Sequence, residues 1–128
     1  FSHEYRFVLP IHPNPNVQRH RHLLEHVEVI DPVPYEEFLE MLASCSYIIT
    51  DSGGLQEETS FLGKHSIVCR KTTERPEGLG KFSALCPRPE LLFEMFENMR
   101  RTPDPVGECP YGDGRSAEKI VKILLEEL

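Results

Sequence analysis

The segment Thr50-Asp51-Ser52-Gly53-Gly54-Leu55-Gln56-Glu57-Glu58 carries the clearest chemistry in this 128-residue chain. Consecutive glycines let a backbone approach a ligand closely. A helix that starts there turns unpaired N–H groups and the positive end of its dipole outward. Together these features make an anion site suited to phosphate. Ser52 can cap the helix or donate its hydroxyl to a phosphate oxygen. Glu58 stands roughly 9 Å further up such a helix, about the span from a phosphate to a nucleoside ribose. A carboxylate there can accept hydrogen bonds from two neighbouring hydroxyls. An ordinary helix N-capped by Ser52 explains the same residues, because short glycine motifs recur without function. A serine nucleophile fits less well, since the order is not G-x-S-x-G.

Three other places hold reactive or ligand-binding types. In Thr72-Thr73-Glu74-Arg75-Pro76-Glu77-Gly78, Arg75 can pair bidentately with phosphate or carboxylate, and Pro76 narrows the loop's conformations. A surface turn with a Glu–Arg pair is the plain alternative. His12, in Ile11-His12-Pro13-Asn14-Pro15-Asn16, sits on a proline-stiffened loop that could present its imidazole to a ligand. His20, His22 and His26 suggest a metal only superficially. His22 and His26 are four apart, but no carboxylate or thiol is placed by spacing, so they are read as solvent-facing and no metal or cofactor is expected. Tyr111-Gly112-Asp113-Gly114 reads equally as a turn or as a ligand loop.

These residues need elements to position them. A short strand over 5–9 stops at Pro10, and a helical stretch follows from about Asn16 to His26. Val27–Ile30 is a second strand. Tyr35, Phe38, Leu39 and Leu42 recur at the helical period, predicting a helix over 34–43 with Pro34 and the acidic pair Glu36-Glu37 at its start. Tyr47–Thr50, apolar on both faces, is expected as a central parallel strand. A helix over Leu55–Leu62 closes at Gly63. Strands over 66–69 and 82–85 and helices over 90–99 and 116–128 complete the series. Ile120, Val121, Ile123, Leu124 and Leu128 are expected to face a core. Alternation of this kind means an α/β domain with a parallel sheet, right-handed crossovers, and functional loops at the strand C-termini.

Composition narrows the function. The formal net charge is −7, with 39% hydrophobic and 27% charged residues. An acidic domain disfavours nucleic acid, although Arg70, Lys71, Arg75 and Lys81 cluster just after the glycines. A membrane span needs about 20 apolar residues, and no such run occurs. Cys45, Cys69, Cys86 and Cys109 contain no CxxC, so a zinc ribbon is unsupported and reduced thiols in a cytoplasmic protein are expected. The start at Phe1 has no secretory signal and no Met, and enters almost directly into a strand, which reads as an N-terminal truncation.

Five separated motifs together resemble the C-terminal domain of the non-hydrolysing UDP-N-acetylglucosamine 2-epimerases. They are His12-Pro-Asn-Pro-Asn-Val17, Thr50-Asp-Ser-Gly-Gly-Leu-Gln-Glu-Glu58, Leu62-Gly-Lys64, Thr72-Thr-Glu-Arg-Pro-Glu-Gly78 and Pro110-Tyr-Gly-Asp-Gly114. The resemblance implies a Rossmann-like sheet with flanking helices, part of the C-terminal half of a glycosyltransferase-B-like architecture, and residues 1–128 as a nucleotide-binding domain. It implies an isomerase of cell envelope polysaccharide biosynthesis that interconverts UDP-GlcNAc and UDP-ManNAc. The implied route is anti elimination of UDP to a 2-acetamidoglucal, then re-addition with inversion at C2. Ser52, Gly53 and Gly54 are implied to hold the diphosphate, Glu58 the ribose, Arg75 the phosphates and Phe38 the uracil, with His12 lining the cleft. A homo-oligomer is expected, and the partner domain that carries the family's catalytic carboxylates is expected to be missing. So is the domain's first strand. Cys109 departs from the Asn usual before Pro-Tyr-Gly-Asp-Gly, and the 78–90 region looks compressed. Weak UDP binding without turnover is therefore expected of the isolated chain. The alternatives are a glycosyltransferase donor domain of the same architecture and a non-catalytic nucleotide-sugar-binding or interaction module.

Overall fold

A computed structural model describes residues 3–127. The chain divides into two compact units, the first ending at Met41 and the second beginning at Leu42.

In the first unit, β1 (Val8–Pro10) pairs in parallel with β2 (Glu28–Ile30), Leu9 opposite Val29. Pro10 ends the strand, where its missing N–H breaks no longer ladder. Between the strands, α1 (Pro15–Gln18) is a single turn, capped by the Asn14 side chain and followed by a 3₁₀ turn over Arg21–Leu23. The continuous helix expected over 16–26 does not form. Its few apolar residues leave no face to bury: Val17 and Leu23 are exposed, and short helices without tertiary packing are marginal. The helix α2 (Tyr35–Ser44) begins just after Pro34, whose carbonyl accepts from the Phe38 N–H. The division between the units falls inside α2.

The second unit holds a three-stranded parallel sheet in the order β3 (Ile48–Thr50), β4 (Ser66–Val68), β5 (Ser83–Leu85). Thus the strands form two parallel sheets among the described residues, rather than one. Within its sheet β3 is an edge strand, with Ile49 partly exposed, whereas all three residues of β4 are buried. β4 takes the central place expected of β3, because it is the strand paired on both sides. Ile48, Ile67, Val68, Phe82, Phe96 and Met99 make the core, and the Phe96 ring meets Tyr47 edge-on at 5.3 Å. The helix α3 (Gly53–Phe61) follows β3, and α4 (Leu92–Met99) sends Phe96 and Met99 inward. α3 ends as expected at Gly63, whose φ is +65° and whose N–H reaches the Ser60 carbonyl while Lys64 N–H reaches that of Thr59.

The last helix, α5 (Ser116–Glu127), has no buried residue. Ile120, Val121, Ile123 and Leu124 are all exposed, against the expectation that they face a core, and Leu128, expected with them, lies outside the described residues. Their helical spacing is enough to set the helix's form, but it does not supply a surface to cover it.

Candidate functional site

β3 delivers the chain to Thr50, where two hydrogen bonds fix the turn into α3. The Ser52 N–H donates to Thr50 Oγ1 at 3.0 Å, and the Cys69 N–H donates to the Thr50 carbonyl at 2.7 Å. Ser52 is the N-cap, its side-chain oxygen accepting from the Leu55 N–H at 3.5 Å. The helix therefore starts at Gly53, two residues earlier than the sequence suggested, so both glycines lie in its first turn. The first N–H groups of a helix have no intrahelical partner and face whatever approaches that end. Ser52 and Gly54 are exposed, and Glu58 is half-buried further along the same helix.

The Thr72–Gly78 loop comes to this helix end. A methyl group built on Gly53 would collide with the Arg75 guanidinium and the Glu74 carboxylate. Arg75 thus packs directly on the Gly53 backbone, which only a residue without a side chain allows. Its Nε donates to Glu57 and its Nη1 to Glu74, whose second oxygen accepts from Arg70 at 2.8 Å. The hydrogen bond that Arg75 donates to Glu57 is the main reason its pKa is raised. Glu74 is pulled below the usual carboxylate range, first by a backbone N–H of its own and then, against some desolvation, by Arg70 and Arg75. Arg75 is held between two carboxylates beside a helix N-terminus. A bound phosphate can take over one of those pairings without leaving the cation unpaired.

Gln56, Glu57 and Thr73, which help to fix this arrangement, are given no role by the sequence, and Tyr111 stands there only in a motif that reads as a turn or a ligand loop. Gln56 is wholly buried, and its Oε1 accepts from Thr73 Oγ1 at 2.8 Å, tying the loop to α3. Thr73 Oγ1 in turn accepts from the Arg75 N–H at 3.1 Å. Glu57 orients the guanidinium, and the Tyr111 hydroxyl bonds to the backbone of the same loop. One signal was available. The buried face of α3 is polar, made of Gln56, Thr59 and Ser60, and buried polar groups require partners.

The structure thus brings Ser52, Gly53, Gly54 and Arg75 to one helix end, with Glu58 on the same helix. His12 and Phe38 belong to the other compact unit. His12 is exposed, with its Nδ1 accepting from the Asn14 N–H at 3.1 Å, and Phe38 is half-buried on α2. His20, His22 and His26 are exposed, as expected. A cleft of about 280 Å³ bordered by His65, Ser66, Lys81 and Met95 lies toward the opposite, N-terminal ends of β4 and β5. It shares no residue with the α3 end.

The chain as a whole is similar to known proteins. A model of the family described as UDP-N-acetylglucosamine 2-epimerase matches residues 1–125. Proteins named UDP-N-acetylglucosamine 2-epimerase from Campylobacter jejuni and Bacillus subtilis are 39% and 35% identical to the chain. The matches cover 93% and 95% of the chain but 34% and 35% of those proteins, so it spans about a third of their length. The crystal structure of UDP-GlcNAc 2-epimerase from Neisseria meningitidis, bound to UDP-GlcNAc, is 35% identical with a TM-score of 0.87. That match covers 95% of this chain and 36% of the other. The Methanocaldococcus jannaschii enzyme in complex with UDP-GlcNAc and UDP matches with a TM-score of 0.84 at 31% identity, over 97% and 36% of the two chains.

Proposed function

The chain belongs to the UDP-N-acetylglucosamine 2-epimerase family, and on that premise we propose that it binds the UDP end of UDP-GlcNAc and UDP-ManNAc at the start of α3. Ser52 and the N–H groups of Gly53 and Gly54 hold the diphosphate, Glu58 takes the ribose hydroxyls, and Arg75 supplies positive charge. The family resemblance assigns Phe38 to the uracil and His12 to the nucleotide sugar. One observation carries the reading: Arg75 lies directly on the Gly53 backbone, so a cation and a helix N-terminus converge on one point.

The family is one of isomerases. In the reaction we propose for the whole protein, elimination takes a proton from C2 and expels UDP from C1, leaving a 2-acetamidoglucal. Re-addition returns UDP to C1 and a proton to the opposite face of C2. Negative charge grows on the β-phosphate as the C1–O bond breaks. Preorganised donors at that oxygen stabilise it most in the transition state, the role given to Arg75 and the α3 N–H groups. No residue described above is assigned to proton transfer at C2. We propose that a further domain of the whole protein supplies that chemistry, in a cytoplasmic homo-oligomer. Among the described residues no helix is long and apolar enough to cross a membrane.

Calorimetric titration with UDP tests the site. Ser52→Ala and Glu58→Ala are each expected to weaken binding about tenfold, the loss of one or two hydrogen bonds to charged or hydroxyl groups. Equal affinity in wild type and both variants overturns the assignment.

A further inference from the structure

We propose that Tyr111 is a positioning residue for the diphosphate end of this site. Its hydroxyl accepts from the Gly78 N–H at 3.0 Å and donates to the Arg75 carbonyl at 2.9 Å, so one oxygen closes both ends of the turn that carries Arg75. The proposal rests on the UDP reading above and deepens it by giving the Pro110–Gly114 motif a task.

The geometry is specific. Arg75 and Gly78 bracket a 3₁₀ turn over Pro76–Gly78, and Tyr111 comes 33 residues later in the chain to meet the second of them. The glycine at 78 makes room: a methyl there would lie 2.7 Å from the Tyr111 hydroxyl oxygen. On the other side of Tyr111, Gly112 has φ +111°, a conformation that residues with side chains rarely adopt. Thus one glycine receives the hydroxyl and another shapes the loop that sends it. Thr73 holds the start of the same loop to Gln56. Arg75 is therefore fixed from both sides. Its backbone is tied by Thr73 and Tyr111, and its guanidinium by Glu57 and Glu74. A cation whose backbone is already ordered loses less freedom when it meets phosphate, which is how a residue that never touches the ligand sets affinity for it.

Titration of the chain with UDP, inorganic pyrophosphate and uridine, in wild type, Tyr111→Phe and Gly78→Ala, tests this. Tyr111→Phe removes the hydroxyl and keeps the ring. It is expected to weaken UDP and pyrophosphate about tenfold and leave uridine unchanged, while the Gly78 amide exchanges faster with solvent. Gly78→Ala displaces the same hydroxyl by steric contact and is expected to give the same split. Equal weakening of all three ligands shows a merely structural role and overturns the proposal, as does unchanged affinity for UDP and pyrophosphate. Should wild type bind pyrophosphate but not UDP, the UDP reading fails alone, and the pyrophosphate response of Tyr111→Phe still decides the positioning role. Should wild type bind neither, both fall.

Discussion

A single added methyl tests the centre of the site. At Gly53 the new carbon would occupy space now filled by the Arg75 guanidinium and the Glu74 carboxylate. Both side chains end in rotatable groups, so Gly53→Ala is expected to fold, with Arg75 pushed off the helix end. Overpacking of this kind costs about 1–3 kcal/mol where neighbours cannot move and less where they can. The expected result is a small fall in Tm and at least a tenfold loss of UDP affinity, read by thermal melting and calorimetry. Unchanged affinity would mean that Arg75 does not act from the position it occupies here. The neighbouring Ser52-Gly53-Gly54 chemistry was legible in the sequence because its parts are adjacent: a cap, two glycines and a helix start need no distant partner. The Gln56–Thr73 and Gly78–Tyr111 bonds were not, because their members lie 17 and 33 residues apart and meet only through the fold.

At the scale of elements, local capping and tertiary packing separate clearly. Asp113 shows a local side-chain turn at work just ahead of α5. It accepts from Lys119 Nζ at 2.9 Å and from the Arg115 N–H at 3.1 Å. These bonds, the lysine's first, favour the ionised carboxylate and hold its pKa below the ordinary aspartate value. A depressed carboxylate pKa stabilises the folded form above the unfolded value, and that contribution is lost as pH falls through the folded one. The NMR titration midpoint of the Asp113 carboxyl is accordingly expected to rise in Lys119→Ala. A midpoint indifferent to that substitution contradicts the pairing. α3 and its Gly63 stop were likewise readable, because caps are local. The helix expected over 16–26 does not form, for the complementary reason. Polar residues run through it without an apolar face, and a helix that buries nothing keeps only the α-helical turn that Asn14 and Pro15 initiate and a 3₁₀ turn over Arg21–Leu23.

For the whole molecule, periodicity gave the order of strands and helices and their parallel pairing, but not which surfaces meet. Hydrophobic spacing says that a face wants cover; it does not say where the cover is. Ile67 and Leu124 make the contrast measurable. Ile67 sits in β4 at 1% exposure, whereas Leu124 on α5 stands at 56%, though both are aliphatic residues on well-formed elements. Truncating a buried aliphatic side chain removes its transfer free energy and leaves a cavity, about 2–5 kcal/mol together. Truncating an exposed one removes neither, and surface substitutions usually change stability by about 0.5 kcal/mol or less. In denaturant unfolding of the 128-residue chain, Ile67→Ala is therefore expected to lower stability by several-fold more than Leu124→Ala. Alanine in a helix also carries a slightly better intrinsic propensity than leucine, so Leu124→Ala can come out neutral. Comparable losses in the two variants would place α5 against a core in solution, as its spacing alone suggests. A large loss at Ile67 alone supports a domain whose core is the β3–β4–β5 sheet and α4, with the last helix contributing little to its stability.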